Sequence, residues 1–147
     1  MRISFIGGGV MAEAIINAIL NSDSAGPGDI VIGDPSEIRR NYLAEQYEVL
    51  VVSNNLQAVG GSDLVVIAVK PRELQEVLRE INGVLEAEQT VVSIVAGAKL
   101  ERISQSLGHE SVIRVMPNTP AQVAGGMTVW TAAPVVSSKT LEMVEQF

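Results

Sequence analysis

Six short apolar runs, separated by segments of helical period, leave this chain few folds to choose from. The runs are "RISFIG", "IVIGD", "VLVVS", "LVVIAVK", "TVVSIVAG" and "VIRVMP". After the first, "VMAEAIINAILNS" sets Met11, Ile15, Ile16, Ile19 and Leu20 on one helical face, the recurrence expected of an amphipathic helix. The turn-rich "DSAGPGD" stops it. "PSEIRRNYLAEQY" predicts a helix with Pro35 near its start, "NNLQAVGGS" a short one, and "PRELQEVLREING" and "KLERISQSLG" two more. Strands apolar on both faces that alternate with helices make a parallel sheet covered on each side. Hydrophobic residues are 47% of the chain and aromatic ones only 3%, so the core is aliphatic. At 147 residues one such core is within reach, burying roughly 70% of the unfolded surface. The expected fold class is α/β, a doubly wound, mainly parallel sheet with helices on both faces. Ligands of such sheets sit beyond the carboxyl ends of the strands, so the loops there hold the candidate residues.

The first of those loops, "IGGGVMA", fits G-x-G-x-x-A with Gly7, Gly9 and Ala12. Gly7 permits a tight strand-to-helix turn, Gly9 lets backbone approach a pyrophosphate, and Ala12 lets the helix pack close to the strand. The free amides of Val10, Met11 and their neighbours at the helix start then face the negative charge. The pattern opens directly after a strand and before an amphipathic helix, the context a dinucleotide site requires, and makes the sheet Rossmann-type. Asp34 stands 25 residues after Gly9, near the ~20-residue offset at which a carboxylate reads a ribose 2′-hydroxyl. That favours NAD. Ser36, Arg39 and Arg40 follow, and a hydroxyl with a guanidinium suits a 2′-phosphate. The choice between NADP and NAD stays open at this level, as do the plainer roles of a helix-start carboxylate and a solvated face.

The net charge of −7 argues against nonspecific binding to nucleic acid or an anionic membrane surface, both of which attract basic patches. With no cysteine, neither disulfides nor thiolate chemistry is available. No metal-ligand cluster or nucleophile with a positioned base stands out. The only histidine, His109 in "LGHES", is expected on the surface. Met1 runs at once into a strand, without a basic-then-apolar leader, and no apolar stretch approaches the ~20 residues of a membrane span. A soluble, cytoplasmic protein is the expectation.

Taken together, "FIGGGVMAEAI", "VIAVKP", "SIVAG" and "IRVMPNTPAQVAGG" resemble the amino-terminal, cofactor-binding domain of pyrroline-5-carboxylate reductase. The likeness covers nearly the whole chain in order, and "AVKP" with "RVMPNTP" is far more specific than the glycine pattern. The resemblance implies NADP or NAD bound at Gly7, Gly8, Gly9, Val10, Met11 and Ala12, with Asp34, Pro35 and Ser36 at the adenosine ribose, beside the Arg39 that the spacing already suggests. Many members carry an Asn-Arg or similar polar pair where this chain has Gly33-Asp34-Pro35. Asn55 matches a family Asn that contacts the cofactor; a helix cap is its plain alternative. Ala68, Val69, Lys70 and Pro71 match the turn past the nicotinamide ribose, and Ala96 and Gly97 the place where the nicotinamide packs. Lys70 also reads as an ordinary solvated lysine.

Met116, Pro117, Asn118, Thr119 and Pro120 then border cofactor and substrate, where two prolines limit backbone freedom; the plain reading is a rigid turn. No certain catalytic residue emerges. The implied reaction is NAD(P)H-dependent reduction of 1-pyrroline-5-carboxylate to L-proline. In the family the groups around the substrate come largely from a second, helical domain that also builds the dimer, so a homo-oligomer is implied for the intact enzyme and inactivity for this chain alone. Residues 1–135 are expected to form the dinucleotide-binding domain. Residues 136–147 read as the start of a truncated helix leading toward an absent helical dimerisation domain, with Leu141, Met143 and Val144 lacking partners. Two alternatives stand beside this: a free-standing NAD(P)-binding regulatory module, and a sibling reductase acting on another imine or carbonyl.

Overall fold

All six apolar runs form strands of one sheet in the computed structural model, which describes residues 1–116 and 129–145. They are β1 (Ile3–Ile6), β2 (Ile30–Gly33), β3 (Leu50–Val52), β4 (Leu64–Ile67), β5 (Thr90–Ser93) and β6 (Val112–Met116). The helices between them are α1 (Val10–Asn21), α2 (Glu37–Tyr47), α3 (Asn55–Val59), α4 (Leu74–Ile81) and α5 (Leu100–Leu107). Beyond them come β7 (Val129–Ala132) and α6 (Ser138–Val144). The strand order is β3-β2-β1-β4-β5-β6-β7. Neighbours from β3 to β6 run parallel, and β7 closes that edge antiparallel to β6, with Ile113 opposite Ala132. The Rossmann-type sheet is therefore as expected. The addition is β7, where three of the four residues, Val129, Trp130 and Thr131, are exposed and so give no inward-outward alternation for a sequence pattern to register.

Alternate side chains of the central strands β1, β4, β5 and β6 feed two cores. Ile3, Phe5, Ile30, Ile32, Leu64 and Val66 share one face with Ile16 and Ile19 of α1 and Leu43 of α2. Ile6, Val65, Ile67, Val91 and Val112 share the other with Val59 of α3, Leu78 of α4 and Ile103 of α5. Each aliphatic side chain fully buried in this way contributes on the order of 1.5–3 kcal/mol, which is why β-branched residues crowd the central strands. The outermost β3 is thinner: half of Leu50 faces solvent.

Two expectations are corrected. Helix α6 does not leave its apolar residues idle: Val144 is fully buried in the same core as Val92, Ile113 and Val115, with Leu141 and Met143 packed against it. The β5–β6 part of that face needs a cover, and α6 supplies one. Its start is fixed by Ser137, whose Oγ accepts the Thr140 amide at 3.2 Å. His109 is buried rather than on the surface, and its Nε2 donates to the Gln89 carbonyl at 2.7 Å.

Candidate cofactor cleft at the switch point

From β1 the chain winds outward through β2 and β3, then returns to lay β4 on the other side of β1. Beyond the carboxyl ends of β1 and β4 the flanking loops diverge, and a cleft of about 510 Å³ opens there. Such a switch point is where doubly wound sheets receive ligands. The cleft brings together Gly7, Gly9, Asp34, Pro35, Asn55, Ala68, Val69 and Lys70, candidates that are scattered along the sequence.

The glycine turn is dictated residue by residue. Gly7 has φ +93° and a Cβ there would stand 2.8 Å from the Ala68 carbonyl oxygen, so both conformation and space exclude a side chain. Its amide bonds the Gly33 carbonyl at 2.8 Å. Gly8 is buried, and a Cβ on it would lie 2.6 Å from Leu43 Cδ1. By contrast, a Cβ on Gly9 would meet nothing within 4 Å; its position faces open space. Ala12 is fully buried under α1, while Val10 is exposed and Met11 packs at the core's margin.

Helix α1 starts without a side-chain cap. Its first backbone bond to the turn runs from Glu13 to the Gly9 carbonyl, and among the described residues no acceptor meets the amides of Gly9, Val10, Met11 or Ala12. A helix start normally has these donors answered by a side chain, by water or by a ligand. Here the donors gather beside an open cleft, and the helix dipole adds positive potential.

What holds the turn comes from β2 and α2. Asp34 Oδ2 accepts the Gly8 amide at 2.8 Å and Oδ1 accepts the Ser36 amide at 2.8 Å. Arg39 donates Nε to the Gly8 carbonyl and Nη2 to Glu13. Gly8 is thus gripped at both its amide and its carbonyl. Glu13 also accepts the hydroxyls of Tyr42 and Tyr47, each at 2.9 Å, and the Arg39 guanidinium lies 5.0 Å from the Tyr42 ring centre. Burial pushes the Glu13 carboxyl up, but the hydrogen bonds from Arg39, Tyr47 and Tyr42 and the Arg39 charge outweigh it and leave it below its ordinary value. Burial, followed by the hydrogen bond to Glu13, pushes Tyr47 up to about 12. Ser36 acts locally as the cap of α2, its Oγ accepting the Arg39 amide at 3.3 Å.

At the next corner the cap of α3 is Asn54, whose Oδ1 accepts the amides of Leu56 at 2.8 Å and Gln57 at 3.2 Å. The capping alternative for Asn55 therefore falls to its neighbour. Asn55 turns to the cleft: Nδ2 donates to Glu80 at 2.7 Å, and Oδ1 would stand 2.8 Å from a Cβ on Gly33. Pro71, Ala96 and Gly97 line a separate, adjoining cleft of about 300 Å³ between α4 and α5. Met116 ends β6; Pro117, Asn118, Thr119 and Pro120 lie outside the described residues.

Sequence reasoning missed the acidic wall. Glu73, Glu76 and Glu80 line the cleft, and their spacing of three and four residues is that of one helical face; the signal was there to find. The Glu13 cluster joins α1 to α2 and carries no local signal. A further depression of about 630 Å³ lies at the opposite, amino end of β5 and β6, near His109, Thr90 and Ser111. Several of its polar groups pair with one another: Thr90 and Ser111 share a hydroxyl bond of 2.9 Å, and Ser137 and Thr140 one of 2.8 Å. Among the described residues no group of His, Cys, Asp and Glu could hold a metal ion, and no helix is long and apolar enough to cross a membrane.

A doubly wound sheet with a glycine turn at its switch point is the arrangement of the dinucleotide-binding class. The chain belongs to the family described as NADP oxidoreductase, coenzyme F420-dependent, whose model matches residues 2–97. The resemblance drawn from "AVKP" and "RVMPNTP" is also borne out. The chain is 39% identical over 141 residues to the pyrroline-5-carboxylate reductase of Synechocystis sp., covering 96% of this chain and 52% of that protein. Among solved structures, a pyrroline-5-carboxylate reductase from Coxiella burnetii superposes with TM-score 0.92 at 32% identity, covering 98% of this chain and 54% of the other. The Plasmodium falciparum pyrroline carboxylate reductase, solved with NADP bound, superposes with TM-score 0.83 at 26% identity, covering 98% of this chain and 52% of the other. The chain spans about half the length of the curated relatives it matches.

Proposed function

We propose that this chain is the cofactor-holding part of a reductase that converts 1-pyrroline-5-carboxylate to L-proline with NAD(P)H. The observation that carries the cofactor half of the reading is the row of amides from Gly9 to Ala12 that no acceptor among the described residues meets, above a position where a methyl group would meet none of them within 4 Å. That cradle fits a pyrophosphate in shape and charge. The substrate half rests on the relatives.

When bound, the reduced nicotinamide supplies a hydride for the electrophilic imine carbon. The chain's own work is to hold and aim. Gly9, Val10, Met11 and Ala12 would hold the pyrophosphate through backbone amides. Asp34, Pro35, Ser36 and Asn55 would border the adenosine ribose, with Arg39 acting from behind on Gly8. Ala68, Val69, Lys70 and Pro71 would border the nicotinamide ribose, with Ala96 and Gly97 beyond them and Met116, Pro117, Asn118, Thr119 and Pro120 nearest the substrate. Such positioning counts because misplacing reacting atoms by about an ångström can cost about a hundredfold in rate.

The relatives' roughly twofold greater length supports reading residues 1–135 as the dinucleotide domain of a longer protein in which the activity resides; a helical continuation from 136–147, homo-oligomerisation and a cytoplasmic setting rest on the sequence reading alone. The test is growth of a proline auxotroph lacking this reductase. The complete gene should restore growth without added proline. If it does not, while the protein it makes is folded and binds NADH, the substrate assignment falls and the cofactor assignment stands.

A further inference from the structure

Granting that the cleft is a dinucleotide site, we propose that it takes NAD(H) in preference to NADP(H), and that charge at the end of β2 makes the choice. The two cofactors differ by one phosphate on the adenosine ribose, so the groups beside that ribose decide. A 2′-phosphate is well held where a guanidinium can offer its planar fork. Two arginines follow Asp34, and both are engaged by the protein itself. Arg39 spends Nε on the Gly8 carbonyl and Nη2 on Glu13, so its charge is neutralised by a carboxylate of α1. Arg40 folds back with Nη1 on the carbonyls of Asp34 at 2.7 Å and Pro35 at 3.0 Å.

The opposite wall is acidic. Glu80 reaches Asn55 at 2.7 Å, and Asn55 lies against Gly33, the last residue of β2. A phosphate in this corner would come between Asp34 and Glu80. Lys70, the cation lining the cleft among the described residues, follows β4 instead. Asp34 still has acceptor capacity: each oxygen receives one amide, and each carries a second lone pair. The carboxylate that fixes the glycine turn therefore accepts a ribose hydroxyl and repels a phosphate in its place.

Calorimetric titration of the purified chain with NADH and NADPH, at low and high salt, tests this. NADH should bind about tenfold more tightly, with the gap narrowing in high salt as screening shortens the reach of the carboxylates. Glu80→Gln, which keeps an acceptor for Asn55 and removes one charge, should narrow the ratio about threefold. Equal affinities, or tighter NADPH, would overturn the preference and leave the dinucleotide site standing. A ratio unmoved by both salt and Glu80→Gln would overturn its electrostatic origin. Binding of neither cofactor would remove the site and the preference together.

Discussion

The two ends of this sheet are made from the same strands and treat their polar groups in opposite ways. At the amino end, Gln89 is almost wholly buried and fully used: Nε2 donates to the carbonyls of Val59 at 2.8 Å and Ser62 at 2.7 Å, and Oε1 accepts the Glu86 amide at 2.8 Å. Its own carbonyl takes the His109 ring at 2.7 Å. At the carboxyl end, the amides of Gly9 to Ala12 meet no acceptor among the described residues, and Glu73 and Glu76 face the cleft. Buried polar groups are satisfied by the protein because leaving them unmade is costly. Donors left unspent beside a cleft, in a turn so tightly specified by Gly7, Gly8 and Asp34, mark the end that is built to bind something else.

The comparison predicts that disturbing the two ends has separable consequences, and the largest effect belongs to Gly7. Gly7→Val forces a β-branched residue to φ +93° and drives its Cβ against the Ala68 carbonyl. The expected cost is about 3–5 kcal/mol in urea denaturation, with NADH binding lost in whatever fraction still folds. Retained stability and retained binding would mean that the turn is not the rigid device described above. Next in size is Gln89→Ala at the other end. It strands the Ser62 carbonyl and the Glu86 amide and leaves the Val59 carbonyl with the Ser62 amide alone, costing about 2–3 kcal/mol, yet NADH affinity measured on the folded protein should match the unsubstituted chain. A parallel fall in affinity would show that the amino end also shapes the cleft.

The fold was legible because its central strands are buried on both faces, and short, β-branched apolar runs such as "LVVIAV" between turn residues signal that. The glycine turn was legible because its roles are steric and local. Gly33 was harder to read: its need for a missing side chain comes from Asn55, brought alongside by the crossover to α3. The arginines show the limit most clearly. In sequence, Arg39 and Arg40 read equally well as phosphate ligands or as a solvated helix face; only the packing of α1 against α2 sets Glu13 beside Arg39 and decides its role. His109 and α6 were misjudged for the same reason, since burial by distant elements leaves no mark on neighbouring residues. The α4 wall, by contrast, was readable from the spacing of Glu73, Glu76 and Glu80 alone.

A smaller effect is expected from the cluster that ties the glycine turn to α2. Glu13→Gln keeps an acceptor but loses the charge that draws three donors together, so the cost should be about 1 kcal/mol. Because Arg39 then holds the Gly8 carbonyl less firmly, NADH affinity should fall with it, unlike the Gln89 case. Stability without any change in affinity would place Glu13 with the structural end rather than the binding end.

The smallest effect is a pH signature confined to that cluster. Glu13 has a lowered folded value, so its contribution is fully present above the ordinary 4.5 and is lost as pH falls through the folded value. Tyr47 is raised from 10.0 to about 12; its contribution is fully present below 10.0 and is lost as pH rises toward 12. Stability should therefore hold level between these limits as far as this cluster governs it, and decline on both sides. Tyrosinate absorbance reads the alkaline limb directly, since the chain has only two tyrosines. Tyr42, raised chiefly by its hydrogen bond to Glu13, should return close to its ordinary value in Glu13→Gln. Tyr47 should come down only part of the way, because burial is the largest cause of its shift and that burial remains. If Tyr42 titrates at its ordinary 10.0 in the unsubstituted chain, Glu13 is not gathering the hydroxyls, and the grip on Gly8 rests on Asp34 and the Arg39 Nε bond without that support from α1.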